Sequence, residues 1–317
     1  MMTYTNFEYP DHLKTRNQWL RKYRKVKEGE KASAYTIIEN EFRIKLFSLD
    51  QTVDYEPSER TLAYWGFFDT FVQKSNRNNF LFKKSPESKW STKTKEILSL
   101  NQIIDHINQK KIIGVKGTEN TRFVIIDLDY HNRDREIFLK QSKILIDEFY
   151  GKERWHIEVK NQDISGIHLI NTFSKAVNLE KMTAYLRSVL IRLDQENPDL
   201  AVMAENVGMT SFSKVEIYPE ENGNGIRLPL SSGRRVFINR ELDLIRKNGR
   251  EVQDIVGYMN WLSDDKNRQW MSKELIFGYL DYHTYKKSSV KNSKDDNSTI
   301  SESRGWKGNM RKLLYDF

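Results

Sequence analysis

At 317 residues the chain is about twice a typical domain length, so one large two-lobed body or two ordinary domains are expected. Its 38% hydrophobic and 30% charged residues supply a sizeable core and exclude a disordered chain, a collagen-like fibre or a disulfide-stapled miniature. Cysteine is absent, which excludes thiol nucleophiles, Cys-ligated zinc and iron–sulfur clusters, and the formal charge of +8 favours a polyanionic partner such as nucleic acid.

Met1 to Pro10 lacks the apolar stretch of a signal peptide, and no apolar run approaches the roughly 20 residues of a membrane span. A soluble, cytoplasmic protein without a membrane partner is expected. Lys14, Arg16, Arg21, Lys22, Arg24, Lys25 and Lys27 surround Trp19 and Tyr23. On a helix they give either a basic surface for DNA phosphates, with Arg21, Lys22, Arg24 and Lys25 as candidate contacts, or a solvated face over an inward Trp19 and Leu20. The aromatic-rich stretch Tyr64 to Trp90 reads as a helix followed by strands, and a helix around Leu98 to Asn108 leads into Ile112, Ile113 and Val115.

Arg122 to Asp129 reads as a strand of β-branched and aromatic residues, followed by a helix over Arg135 to Tyr150. Trp155 to Val159 and Ile167 to Phe173 read as two strands. Asn178 is placed to cap a helix reaching Asp194. Ser213 to Tyr218 and Arg234 to Ile238 read as further strands flanking the Gly-rich turn at Asn222 to Gly225. Val252 to Leu262 carries helical periodicity, and a second helix is expected over Ser272 to Tyr282. Lys286 to Arg304 has almost no apolar content and reads as a flexible basic linker before Trp306 to Phe317.

Four features carry chemistry. In Phe123-Val124-Ile125-Ile126-Asp127-Leu128-Asp129, strand alternation places Asp127 and Asp129 on one face. Side-by-side carboxylates repel, and a divalent cation with a preference for hard oxygen ligands, Mg²⁺ or Mn²⁺, removes that conflict; two solvated acids at a strand end are the bland alternative. About forty residues later, Ser165-Gly166-Ile167-His168 opens a strand with a small corner and a histidine, which can either donate to a phosphate or cap the strand. Glu216, between Val215 and Ile217, is a third candidate ligand or simply the polar face of an edge strand. In Gly223-Asn224-Gly225-Ile226-Arg227-Leu228, glycines allow close backbone approach to a ligand, and Arg227 among apolar neighbours needs an anionic partner; Arg234 and Arg235 add positive charge nearby.

Taken in order, these motifs resemble the archaeo-eukaryotic primase superfamily, in particular its primase–polymerase (PrimPol) branch, whose relatives serve plasmids, phages, other mobile elements and CRISPR systems. The resemblance covers about residues 110 to 240. It implies an α+β fold, with an N-terminal α/β lobe (about 1–118) packed on an RRM-like antiparallel sheet (about 119–250) and a helical C-terminal region (251–317). It also implies that Asp127, Asp129 and Glu216 bind a catalytic pair of Mg²⁺ or Mn²⁺ ions, and that Ser165, Gly166 and His168, with Arg227, Arg234 and Arg235, grip the phosphates of an NTP or dNTP. Three departures stand out: Glu216 occupies a position where Asp is frequent, the turn before His168 is short, and the zinc motif that assists priming in some members is missing.

The expected activity is therefore template-directed nucleotidyl transfer, a DNA primase or DNA polymerase acting on single-stranded template and primer–template duplex. A metal-dependent nuclease, a nucleotide-sugar glycosyltransferase and a non-catalytic DNA-binding replication initiator are the competing classes. The first two share the acid cluster; the last needs only the basic surface.

Overall fold

The computed structural model describes residues 2–5, 8–38, 42–73, 77–94, 96–130, 133–149, 156–160, 166–220, 224–232, 234–237 and 252–263. The N-terminal segment forms β1 (Met2–Thr5), β2 (Leu13–Lys14), a short helix α1 (Arg16–Leu20), β3 (Arg24–Val26), β4 (Ala34–Ile38), β5 (Phe42–Ser48) and β6 (Thr52–Asp54). It is followed by α2 (Glu59–Phe71), β7 (Phe80–Lys83), β8 (Ser91–Lys93), α3 (Leu100–Ile107) and β9 (Ile112–Val115). The central part runs β10 (Asn120–Asp129), α4 (Arg135–Phe149), β11 (His156–Lys160), β12 (Gly166–Asn178), α5 (Leu179–Glu196) and α6 (Pro198–Asn206). Then come β13 (Glu216–Tyr218), β14 (Ile226–Arg227), β15 (Arg234–Phe237) and α7 (Val252–Ser263). The chain is thus α+β, with its strands in several sheets. No helix among the described residues is long and apolar enough to cross a membrane.

The sheet that carries Asp127, His168 and Glu216 is five-stranded, in the order β13-β10-β12-β11-β15. Every pairing in it is antiparallel. Without β15, the run β10-α4-β11-β12-α5-β13 is a β-α-β-β-α-β unit with its fourth strand beside its first and its third between first and second. Alternation along β10 decides what each face sees. Val124, Ile126 and Leu128 pack with Phe138 and Leu145 of α4 and Leu186 and Leu190 of α5. Phe123 and Ile125 point the other way, into a second core shared with Phe67 and Phe71 of α2, Ile103 of α3, and Ile255, Tyr258 and Met259 of α7. Each fully buried aliphatic side chain contributes about 1.5–3 kcal/mol relative to exposure. A one-residue slip would exchange the two sets between cores and carry Asp127 into the core that now holds Ile126 and Leu128, so the register of β10 is strongly fixed.

The second core also takes in Phe80, Ile113, Val115 and Ile226 from a four-stranded sheet of order β14-β9-β7-β8. Residues before α2 build a four-stranded sheet, β1-β4-β5-β2, and a two-stranded ribbon, β3-β6.

Three local departures from the sequence reading have physical causes. The basic N-terminal run is not one helix. A capping box of Thr15 and Gln18 starts α1 and the Trp19 indole donates to the Phe47 carbonyl at 2.8 Å, but Tyr23 takes a left-handed φ of 58° and turns Arg24 and Lys25 into a strand paired with β6. The strand expected from Ser213 begins at Glu216. Before it, Phe212–Lys214 is a 3₁₀ turn whose Phe212 and Ser213 N–H groups both donate to the Asp194 carboxylate at 2.8 Å. Helix α6 was not anticipated, although Pro198 at its first turn is a start signal. The expected helix over 272–282, the linker 286–304 and the segment 306–317 lie outside the described residues.

Candidate active site

The β10 register assembles the chemical motifs into one row. Asp127 stands opposite His168 on one side and Glu216 on the other, and His168 in turn stands opposite Glu158 of β11. Directly opposed residues of antiparallel strands project to the same face. Glu216, Asp127, His168 and Glu158 therefore line up across four strands, on the face that also carries Phe123, Ile125, Ile170 and Tyr218 into the second core. The row grades from open to closed: Glu216 is exposed, Asp127 half-buried, and His168 and Glu158 are fully buried.

His168 Nε2 lies 3.3 Å from Asp127 Oδ1, and Nδ1 lies 3.4 Å from Glu158 Oε1. The histidine is thus held inside the sheet, with a carboxylate beside each ring nitrogen. The resemblance implies a histidine aimed at substrate phosphates; here its nearest charged neighbours are two protein carboxylates. Glu158 is anchored from behind, where Oε2 accepts from the Leu230 N–H at 2.9 Å. Leu230 has a left-handed φ of 66°, a conformation that costs a non-glycine residue about 1–2 kcal/mol. Its segment is fixed by a second buried contact. His106 Nδ1 accepts from the Ile113 N–H at 3.0 Å, which leaves Nε2 to donate to the Pro229 carbonyl at 2.8 Å. On α7, Tyr258 is fully buried, and burial first, then the charge of Glu158, pushes its phenol well above the usual tyrosine range.

At the open end, the Tyr218 hydroxyl donates to Glu216 Oε2 at 2.7 Å. Burial, then Glu216 itself, then Asp127 and Glu220 raise the Tyr218 pKa, so the phenol keeps its proton and serves as a fixed donor. Asp129, two residues beyond Asp127 on the same face, stands opposite Gly166. A β carbon at 166 would lie 2.5 Å from Asp129 Oδ1, so the carboxylate occupies the space that only glycine leaves free.

The other residues singled out in the sequence are placed as follows. Arg227 sits on β14 opposite Gly114, in a different sheet. Its neighbour Ile226 enters the second core, so Arg227 projects to the other face, where its guanidinium lies 5.8 Å from the centre of the Trp90 ring. Gly225 before it is packed closely, since a β carbon there would meet Leu81 Cδ1 at 2.5 Å and the Val115 carbonyl at 2.9 Å. Arg234 and Arg235 pair with Lys160 and Val159 at the β11 edge. Their side chains, and Ser165 altogether, lie outside the described residues. Arg21 pairs with Asp69, and Arg24 pairs with Asp54 at 2.6 Å; Lys22 and Lys25 are exposed.

Glu158 and Tyr218 were missed. Glu158 was legible in principle, because Ile157 and Val159 flank it as Val215 and Ile217 flank Glu216, and a lone acid between buried β-branched residues must face the opposite side of its sheet. Among the described residues, no three acidic or histidine side chains stand as a ready-made ion-binding group. The donor chemistry of Asp127, Asp129 and Glu216 is nonetheless all hard carboxylate oxygen on one face, which suits Mg²⁺ or Mn²⁺ completed by substrate phosphates and water. No protein-family model matches the chain, and no curated protein is detectably similar to it in sequence.

Proposed function

We propose that the chain is a template-directed nucleotidyltransferase of the primase–polymerase kind, using two divalent ions to add NTPs or dNTPs to a primer or to start one on single-stranded DNA. One observation carries this reading. Three short motifs, separated by about forty and about ninety residues in sequence, fall on adjacent strands with Asp127 directly opposite both His168 and Glu216 and with Asp129 over Gly166. The β-α-β-β-α-β sheet and the second core that joins it to α2, α3 and β9 fit the expected pair of packed lobes.

Asp127, Asp129 and Glu216 would hold the ions, which supply charge neutralisation along the triphosphate and a more acidic attacking 3′-hydroxyl. The protein's part is preorganisation. Tyr218 holds one Glu216 oxygen, leaving the other for a ligand. Glu158 sets the His168 ring, and His168 in turn holds Asp127 from within the sheet, so that the carboxylate needs little reordering when charge develops on the substrate. In this reading His168 is a positioning residue. The Gly166 contact keeps the Asp129 carboxylate beside its partner.

The deciding assay incubates the protein with single-stranded template, Mn²⁺ and labelled NTPs or dNTPs, with and without a primer, beside the Asp127→Ala variant. Incorporation that needs template and disappears in the variant supports the proposal. Degradation of the DNA without added nucleotide would instead identify a nuclease, and DNA binding with neither reaction a non-catalytic initiator.

A further inference from the structure

A second candidate site lies between the α1 region and helices α2 and α3. A cavity of about 630 Å³ opens there, within the range of small-molecule sites, and it shares no lining residue with the carboxylate row. Lys14, Arg21, Lys22 and Arg77 line it against a single acid, Asp69, so its charge is net positive. Trp65 and Phe68 form part of the wall, and aliphatic side chains together with Thr15, Asn17 and Gln18 complete it.

The two arginines are set in place. Arg21 grips Asp69 with two parallel bonds of 2.8 and 3.0 Å, and its guanidinium lies 4.7 Å from the centre of the Trp65 ring. Arg77 donates from Nε to the Leu98 carbonyl at 3.1 Å and lies 5.4 Å from the centre of the Phe68 ring. Held this way, each loses little freedom on binding a ligand and still has N–H groups beyond those used by these bonds. Burial is the leading influence on both, and it lowers their pKa values. An anion in the cavity would offset that cost. Lys22 is exposed at the rim.

Cationic groups beside flat rings and an aliphatic floor match one chemical unit, a nucleotide, whose phosphate needs the charges and whose base stacks on guanidinium or aromatic planes. We propose that this pocket holds one nucleotide of a single-stranded nucleic acid, with its phosphate on Arg21, Lys22 and Arg77 and its base against the arginine–aromatic wall. The choice of ligand rests on the nucleotidyl-transfer reading, and the site would anchor template at a distance from the chemistry.

The test measures binding of the full chain to a fluorescein-labelled oligothymidylate, and to an abasic oligomer of equal length, by anisotropy over a range of salt. Lys22→Glu and the charge-balanced double variant Arg21→Gln/Asp69→Asn are compared with wild type. Each should weaken oligothymidylate binding about tenfold and reduce the salt slope by about one. The abasic oligomer should bind wild type more weakly than oligothymidylate does, and that difference should vanish in the double variant. Photocrosslinking with 5-iodouracil in the strand should label the peptide containing Trp65 and Phe68. Wild-type affinity and salt slope in Lys22→Glu, or crosslinks only to other peptides, would overturn the proposal; Lys22 is exposed, so this arm holds even if the double variant does not fold. Equal binding of the two oligomers by wild type would overturn the base contact. Asp127→Ala should bind oligothymidylate as wild type does. Pocket-dependent binding by a protein that incorporates no nucleotide would leave this site standing and remove the nucleotidyl-transfer reading.

Discussion

Asp129 and Gly166 face each other across β10 and β12 so closely that the carboxylate fills the place of the missing β carbon, which would lie 2.5 Å from Asp129 Oδ1. The contact couples the first motif to the second by shape. Gly166→Ala must displace the Asp129 carboxylate, which as the end of a half-buried side chain can move at little cost to stability. We expect nucleotide incorporation to fall at least tenfold while the melting temperature drops only a few degrees. An unchanged incorporation rate would show that Asp129 works equally well from another rotamer.

Asp127→Ala and Asp129→Ala should each abolish incorporation and leave the affinity for single-stranded DNA within about twofold of wild type, because phosphate contacts by lysine and arginine carry most of that affinity. Anisotropy and primer extension on the same preparations read the two effects separately. Wild-type incorporation in both variants would remove the carboxylates from the mechanism.

The placement of His168 separates two roles that a single activity measurement would confuse. If the ring acts through Asp127, His168→Ala should lower kcat and raise the Mn²⁺ concentration needed for half-maximal rate, with KM for nucleotide little changed. A histidine on the phosphates would raise the nucleotide KM instead. A full Mn²⁺ and nucleotide titration of the variant decides between them.

Glu158 contributes to stability as well as to the proposed positioning of His168. Glu158→Ala leaves the Leu230 N–H without its acceptor in a buried site, a loss of about 1–3 kcal/mol, whereas Glu158→Gln keeps a carbonyl oxygen there. Denaturant unfolding should rank the two variants in that order, with alanine less stable. Equal stabilities would mean that the Leu230 contact contributes nothing.

Tyr218 sets a dependence on alkaline pH. Its pKa is raised above the ordinary 10.0, so the folded state favours the protonated phenol. That stability is fully present below about pH 10 and is lost as pH rises toward the folded-state value. The stability gap between wild type and Tyr218→Phe should therefore stay constant from pH 7 to about pH 9.5 and narrow above it, as read by denaturant unfolding at each pH. A gap that widened above pH 10 would reverse the assignment.

The legible parts of this molecule are those that local spacing and capping decide. Alternation in β10 placed Asp127 and Asp129 together, and the Asn178 cap does start α5, its side chain accepting from the Lys181 N–H at 3.0 Å. The cross-strand register was out of reach, because nothing local in Glu216 or His168 says which residue each will oppose. The sheet in which Arg227 falls was equally out of reach. The apolar neighbours of Arg227 belong to the second core, and its guanidinium lies near Trp90 on the opposite face, in a different sheet from the carboxylate row. Strand β3 was missed because a basic run of helical spacing is broken by Tyr23, whose left-handed backbone no residue preference announces.

The core beneath the acids closes late in the chain. It runs from Ala63 on α2 to Met259 on α7, and the Asn260 amide donates to Glu59, 201 residues earlier in sequence, at 3.0 Å. On the ribosome, α2 leaves the exit tunnel long before the helix that covers it. At about 5–20 residues per second the delay is on the order of ten to forty seconds. Through that interval Phe67 and Phe71 lack part of their final cover, an opening for chaperones and for neighbouring nascent chains. Chains stalled or cleaved before Val252 should aggregate rather than accumulate as a smaller folded body, and a messenger that slows translation between α6 and α7 should lower the soluble yield.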